Sequence, residues 1–203
     1  MLGKTTDLDV LEIFRDCGAL LEGHFLLSSG RHSPTYFEKA QVLQFPAHVQ
    51  HLCAELARRF RPELISVVVS PTTPGILLGY EMGRQLDRRA IFAEREEGKR
   101  VLRRGFHITE GEAVLVVDDI QTTGLSVREV MELVREQGGE VVGVALLVDR
   151  SNGAVDLGVR TEVLLKMDVV SWEPAECPLC KEGVPLEAPG SRHLSASHSG
   201  GPR

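Results

Sequence analysis

The sequence predicts an α/β fold, a mostly parallel central sheet flanked by helices, with a small helix-and-hairpin unit in front of it. Three observations predict it. From Leu64 onward, apolar strand-like runs alternate with loops and helical patterns, as parallel βα units do. Ala113–Val117 (AVLVV) is an uninterrupted apolar run that suits a strand buried on both faces. The chain has 203 residues, 42% of them hydrophobic, which supports one ordinary core with a small appendage.

Charge and patterning exclude several classes of function. A net charge of −6 argues against nucleic acid or an anionic membrane as the main partner. No apolar run approaches the roughly 20 residues of a membrane span. The opening MLGKTTDLDVLEIF is amphipathic and carries acids, unlike a signal peptide. Four cysteines, two of them isolated, give no disulfide framework. The expected location is cytoplasmic.

The elements follow in order. Asp7 to Cys17 has apolar residues at helical spacing and stops at Gly18. Phe25–Leu27 reads as a short strand, Ser28–Arg31 as a turn, and Thr35–Phe37 as a second strand. Tyr36 and Phe37 admit two readings: core aromatics of a hairpin, or a stacking wall for a planar base. Pro46–Phe60 is a helix with Val49, Leu52, Cys53, Leu56 and Phe60 on one face. Leu64–Val69 begins the main sheet. Ser70–Gly75 then forms a loop into a helix, with Pro74 suited to the first helical turn. Ala90–Phe92 is the next strand. Glu94–Gly105 (EREEGKRVLRRG) is charged and without periodicity, as in a solvated loop. Val127–Gln137 is a helix ended by Gly138-Gly139, and Val141–Val148 a buried strand. Thr161–Lys166 is the last strand, continued at Val169-Val170.

The chemistry concentrates after the central strand. Asp118 and Asp119 stand where that strand should end, at the carboxyl edge where open α/β sheets bind ligands. Ile120, Gln121, Thr122, Thr123, Gly124, Leu125 and Ser126 lead into the next helix. Backbone N–H groups at such a junction, with the helix dipole, favour an anion. The threonine and serine hydroxyls add donors, and a carboxylate accepts two hydrogen bonds from a diol. Together these features suit a ribose 5-phosphate; the plain alternative is a capped turn. Arg150 follows the next strand at the same edge. It is either a surface arginine or a bidentate grip on a carboxylate.

The stretch AVLVVDDIQTTGLS closely resembles the signature of type I phosphoribosyltransferases, which bind phosphoribosyl pyrophosphate (PRPP). Gln121 replaces the usual aliphatic residue and Leu125 a small one. The N-terminal segment resembles the hood of the family's orotate branch, through Ser29-Gly30-Arg31, Ser33-Pro34 and Tyr36-Phe37. Ser28 stands where that branch commonly has a lysine. Ser70–Gly75 sits at the family's pyrophosphate loop, with Ser70 and Pro74 departing from its usual forms. Glu94–Gly105 sits at its catalytic flexible loop, without the common lysine and histidine pattern.

The resemblance implies a pentosyltransferase that moves the phosphoribosyl group of PRPP onto orotate, giving orotidine 5′-monophosphate and pyrophosphate in pyrimidine biosynthesis. It implies Lys99, Asp118 and Asp119 as catalytic residues. PRPP falls to Arg95, Lys99, Asp118, Asp119 and residues 120–126, and orotate to Thr122, Arg150, Tyr36 and Phe37. Arg100, Arg103 and Arg104 are further cations for pyrophosphate. Mg²⁺ is expected on PRPP, with Asp119 as an added contact. A homodimer is expected, its mobile loop reaching the neighbouring site. The division implied is a helix and hood over the base site at 1–45, an α/β core at 46–173, and a tail at 174–203 disordered after 193. Rival readings are a purine-type phosphoribosyltransferase and a non-catalytic PRPP-sensing regulator. Cys177 and Cys180 read as a reduced pair in a turn, because zinc needs four ligands and only His193 and His198 lie nearby in sequence.

Overall fold

The structure, a computed structural model, describes residues 7–27, 29–168 and 170–189. Helix α1 (Asp7–Asp16) leads into the antiparallel pair β1 (Leu20–Leu26) and β2 (His32–Phe37). Two helices follow, α2 (Ala40–Leu43) and α3 (Pro46–Ala57), then a 3₁₀ turn at Pro62–Leu64. The main sheet is built from β3 (Val67–Pro71), β4 (Arg89–Glu96), β5 (Lys99–Val101), β6 (Ala113–Gln121), β7 (Glu140–Asp149) and β8 (Thr161–Lys166). Helix α4 (Pro74–Leu86) connects β3 to β4, α5 (Leu125–Glu136) connects β6 to β7, and a short α6 (Pro178–Lys181) lies near the end.

The sheet has six strands in the order β5-β4-β3-β6-β7-β8. All pairings are parallel except β4 with the edge strand β5. The parallel strands are buried on both faces because side chains alternate along each one. Val68, Leu115, Val117, Ala145 and Leu147 face one cluster, with Phe14 of α1, Leu52 and Leu56 of α3, and Leu78 and Met82 of α4. Val67, Val69, Val114, Val116, Val144 and Leu146 face the other, with Val127, Val130, Met131 and Val134 of α5. Gly79 lets α4 lie close on β3, since a Cβ there would stand 2.9 Å from the Cβ of Ser70. Among the described residues no helix is long and apolar enough to cross a membrane.

Several expectations are corrected. The segment 94–105 is not irregular: β4 runs on to Glu96, the chain turns at Glu97 and Gly98, and β5 returns antiparallel. The φ values of 48° at Glu97 and 85° at Gly98 are those of a tight primed hairpin turn. Both strands of this hairpin carry charges on both faces, so no alternation marks them in the sequence. Strand β6 runs four residues past Val117, to Gln121, so Asp118 and Asp119 lie inside the strand. Strand β1 starts at Leu20, ahead of the expected Phe25. Val170 is not a strand residue. Val169, Ser28 and the tail beyond Pro189, including the disorder expected after 193, lie outside the described residues.

The segment after β8 returns to the first hairpin. The Trp172 and His32 backbones exchange both N–H···O bonds at 2.9 Å. Leu26 N–H donates to Glu187 O, and Glu187 N–H to His24 O, each at 2.8 Å. Arg31 donates to the Ser171 carbonyl at 2.7 Å and pairs with Glu173. The Ser33 hydroxyl donates to Val170 O at 2.9 Å. The β1–β2 hairpin is therefore held from one side by residues 170–187.

Candidate active site

Three strand ends form the site. Residues 72–73 join the end of β3 to α4, residues 122–124 join β6 to α5, and Arg150 follows β7. The Arg150 N–H donates to Gln121 O at 2.8 Å, which seats it directly beside the central strand. A cavity of about 250 Å³ lies at the end of β6, lined by Asp118, residues 120–127 and Arg95. Gly124 caps α5 in the left-handed region at φ 73°, and a Cβ there would stand 2.7 Å from Val155 Cγ1. Strain and clash act in the same direction, so Gly124→Ala should lower unfolding stability by about 2 kcal/mol, read by urea unfolding.

The two acids leave β6 on opposite faces, as neighbours in a strand must. Asp118 is 5% exposed and lies on the α5 side, where the Ser126 hydroxyl supports its carboxylate. Its Oδ1 accepts the Asp119 N–H at 2.8 Å. Burial first, and then the charge of Asp119, push the Asp118 carboxyl up to about 7. Asp119 is 3% exposed, and its Oδ1 accepts the Ile120 N–H at 2.6 Å. Its Oδ2 pairs with Lys39 Nζ at 2.9 Å. Each Asp119 oxygen thus already has a partner, and the acid pair is not a ready cage for a divalent cation. A magnesium ion here would depend on phosphate oxygens of a bound ligand, which suits an ion that keeps several of its waters.

Arg150 is half-buried, and its Nε has no hydrogen-bond partner among the described residues. Burial lowers its pKa, and the Tyr36 hydroxyl is the one group that counters this. Tyr36 is half-buried, its own pKa raised chiefly by burial, with Arg150 and Lys39 near enough to act against the rise. Phe37 does not join it. Phe37 is buried in the core, edge-on to Phe14 at 4.8 Å, because adjacent strand residues face opposite ways. The expected two-ring wall is therefore one ring, Tyr36.

The cations of the hairpin separate. Arg95 lines the cavity and pairs with Glu129 on α5. Lys99 is exposed on β5, in register with Glu96. Arg103 and Arg104 pair with Glu96 and Glu94 outside the cavity. Arg100 is the cation that reaches both the 72–73 connection and the first turn of α5. It donates to Ser126 Oγ at 3.0 Å and to Thr72 Oγ1 at 3.5 Å, and it pairs with Glu129 at 3.2 Å. A cis peptide joins Thr72 to Thr73 in that connection. Sequence reasoning missed Lys39, a lone lysine outside any motif. It also named Arg100 only as one cation among several, since a run of basic residues does not reveal which one turns inward.

A parallel sheet whose central strand delivers buried acids and a hydroxyl-rich loop to one edge is the arrangement that suits a phosphorylated sugar. Comparison with known proteins agrees. A family model, Phosphoribosyl transferase domain, matches residues 39–174. An orotate phosphoribosyltransferase of Pelotomaculum thermopropionicum is 58% identical over 92% of this chain and 98% of its own length. One from Caldicellulosiruptor bescii is 54% identical over 90% of this chain and 96% of its own. The crystal structure of orotate phosphoribosyltransferase from Aeropyrum pernix superposes with a TM-score of 0.65 at 28% identity, covering 78% of this chain and 93% of that one. The chain belongs to the phosphoribosyltransferase family, in its orotate phosphoribosyltransferase branch.

Proposed function

We propose that the protein transfers the phosphoribosyl group of PRPP to orotate, forming orotidine 5′-monophosphate and releasing pyrophosphate. The observation that carries this reading is Arg150. A half-buried guanidinium, its Nε without a hydrogen-bond partner among the described residues and a tyrosine beside it, suits a planar ligand bearing a carboxylate. Orotate has that carboxylate, and a purine does not. A PRPP-sensing regulator would leave Arg150 without a purpose.

The loop 122–126 takes the 5-phosphate through N–H groups and hydroxyls at the start of α5. Asp118 accepts hydrogen bonds from the ribose hydroxyls, and Asp119, held by Lys39, backs it from the other face of β6. Charge at the anomeric carbon resembles an oxocarbenium ion in the transition state, so catalysis is chiefly positioning and charge compensation. Arg100 and Arg95 face the departing pyrophosphate across the 72–73 connection. Mg²⁺ carried on the pyrophosphate would offset its negative charge. Thr122 lies at the seam between phosphate and base, and Arg150 and Tyr36 orient orotate.

A homodimer is part of the proposal, with the 94–105 hairpin and its exposed Lys99 directed to the neighbouring site. Exposed apolar side chains support it: Leu77 and Tyr80 on α4 and Phe45 before α3, which a partner would cover. A cytoplasmic location fits a soluble metabolic enzyme. The test is an absorbance assay of orotate consumption with PRPP and Mg²⁺, run beside adenine, hypoxanthine and uracil. Turnover of orotate alone is expected. Folded protein that consumes a purine, or none of the four bases, would overturn the reading.

A further inference from the structure

We propose that His24, His32, Cys177 and Cys180 form a structural zinc site that fastens the β1–β2 hairpin to the C-terminal segment. The four residues come from three separate places in the chain. His24 is on β1, His32 opens β2, and the two cysteines flank Pro178 and Leu179 at the start of α6. One ligating atom from each lies within 4.8 Å of all the others. His24 Nε2 is 3.0 Å from His32 Nδ1 and 3.4 Å from Cys177 Sγ. Cys180 Sγ is 3.2 Å from His32 Nδ1 and 3.7 Å from His24 Nε2. A tetrahedron with zinc–sulfur bonds of about 2.3 Å and zinc–nitrogen bonds of about 2.0–2.1 Å has edges of about 3.3–3.8 Å. These four separations are close to those edges, and all six lie within 4.8 Å, so a small inward shift completes the tetrahedron.

The donors are chosen for a metal in two further respects. His24 Nδ1 donates to the Val184 carbonyl at 2.8 Å, which leaves the Nε2 lone pair aimed into the cluster. Zinc-ligating histidines are oriented by bonds of this kind. Two thiols and two imidazoles supply the S₂N₂ set that selects zinc among common divalent ions, and four protein ligands close the site to solvent chemistry. His24, His32 and Cys177 are each no more than 5% exposed, and Cys180 is exposed and closes the cluster on its solvent side. As plain packing, four heteroatoms facing one another would stabilise nothing that apolar side chains could not stabilise better. The cysteine pair looked incomplete in the sequence because its partners lie about 150 residues upstream.

None of the four residues lines the cavity at the end of β6, and the test reads metal content, so it does not depend on the proposed activity. The full chain, expressed without a histidine tag in zinc-supplemented medium and dialysed, should carry about one zinc per chain by elemental analysis. X-ray absorption at the zinc edge should show sulfur and nitrogen neighbours together. The Cys177→Ser/Cys180→Ser variant should lose the metal. The wild-type spectrum needs no variant, so the proposal stays testable if that variant misfolds. A wild-type protein with only trace metal, a coordination shell without sulfur, a Cys177–Cys180 disulfide, or metal retained by the folded variant would each overturn it.

Discussion

Replacing Arg150 with alanine is expected to raise the orotate KM on the order of a hundredfold while leaving the PRPP KM nearly unchanged. Losing one partner of a buried, hydrogen-bonded charge pair costs about 2–5 kcal/mol, and each 1.4 kcal/mol is about tenfold in affinity. Arg150 Nε has no hydrogen-bond partner among the described residues and its backbone is fixed to Gln121, which under the proposal leaves the side chain for a ligand. Arg150→Lys should fall between the two, because an ammonium keeps the charge and loses the planar fork. Initial rates with each substrate varied in turn decide the matter. Equal rises in both KM values would remove the assigned role.

Asp118→Asn carries two opposed expectations. Turnover should fall about ten- to a hundredfold, since a hydrogen bond to a charged acceptor contributes about 1.5–3 kcal/mol. Ligand-free stability should rise instead. Burial and Asp119 raise the folded pKa of Asp118 to about 7, against about 3.9 in an unfolded chain. The folded state therefore holds its proton more tightly. The stability this gives is fully present below the unfolded value and is lost as pH rises through the folded one. At pH 8 the wild type carries the whole penalty of a buried charge, a few kcal/mol at most, and asparagine removes it. The melting temperature of the variant should exceed that of the wild type at pH 8, and the gap should close as the pH falls toward 4. A gap independent of pH would mean that Asp118 is not the buried charge described.

The sheet was legible in the sequence because its strands are apolar on both faces and bounded by Gly, Pro and hydroxyl residues. The loop at 122–126 was legible for a similar local reason: its chemistry is contiguous. What escaped depended on facing and distance. Tyr36 and Phe37 are neighbours in sequence, yet the pleat sends one toward Arg150 and the other against Phe14. Lys39 and Asp119 meet although 80 residues separate them. The hairpin at 94–101 hid because both its faces are charged. Arg31 belongs to a pattern suggestive of a binding site, but its guanidinium is spent on Ser171 and Glu173.

That last pairing has a bearing on synthesis. The first hairpin emerges early from the ribosome, but its backbone partners at Trp172 and Glu187 are among the later residues made. At about 5–20 residues per second, several seconds separate the hairpin from its anchors. The sheet can close in that interval, while the hairpin waits for its partners. A nascent chain halted before Trp172 would have its sheet strands but a hairpin without those backbone partners. Completion of the last segment is thus the step that gives the hairpin its backbone partners.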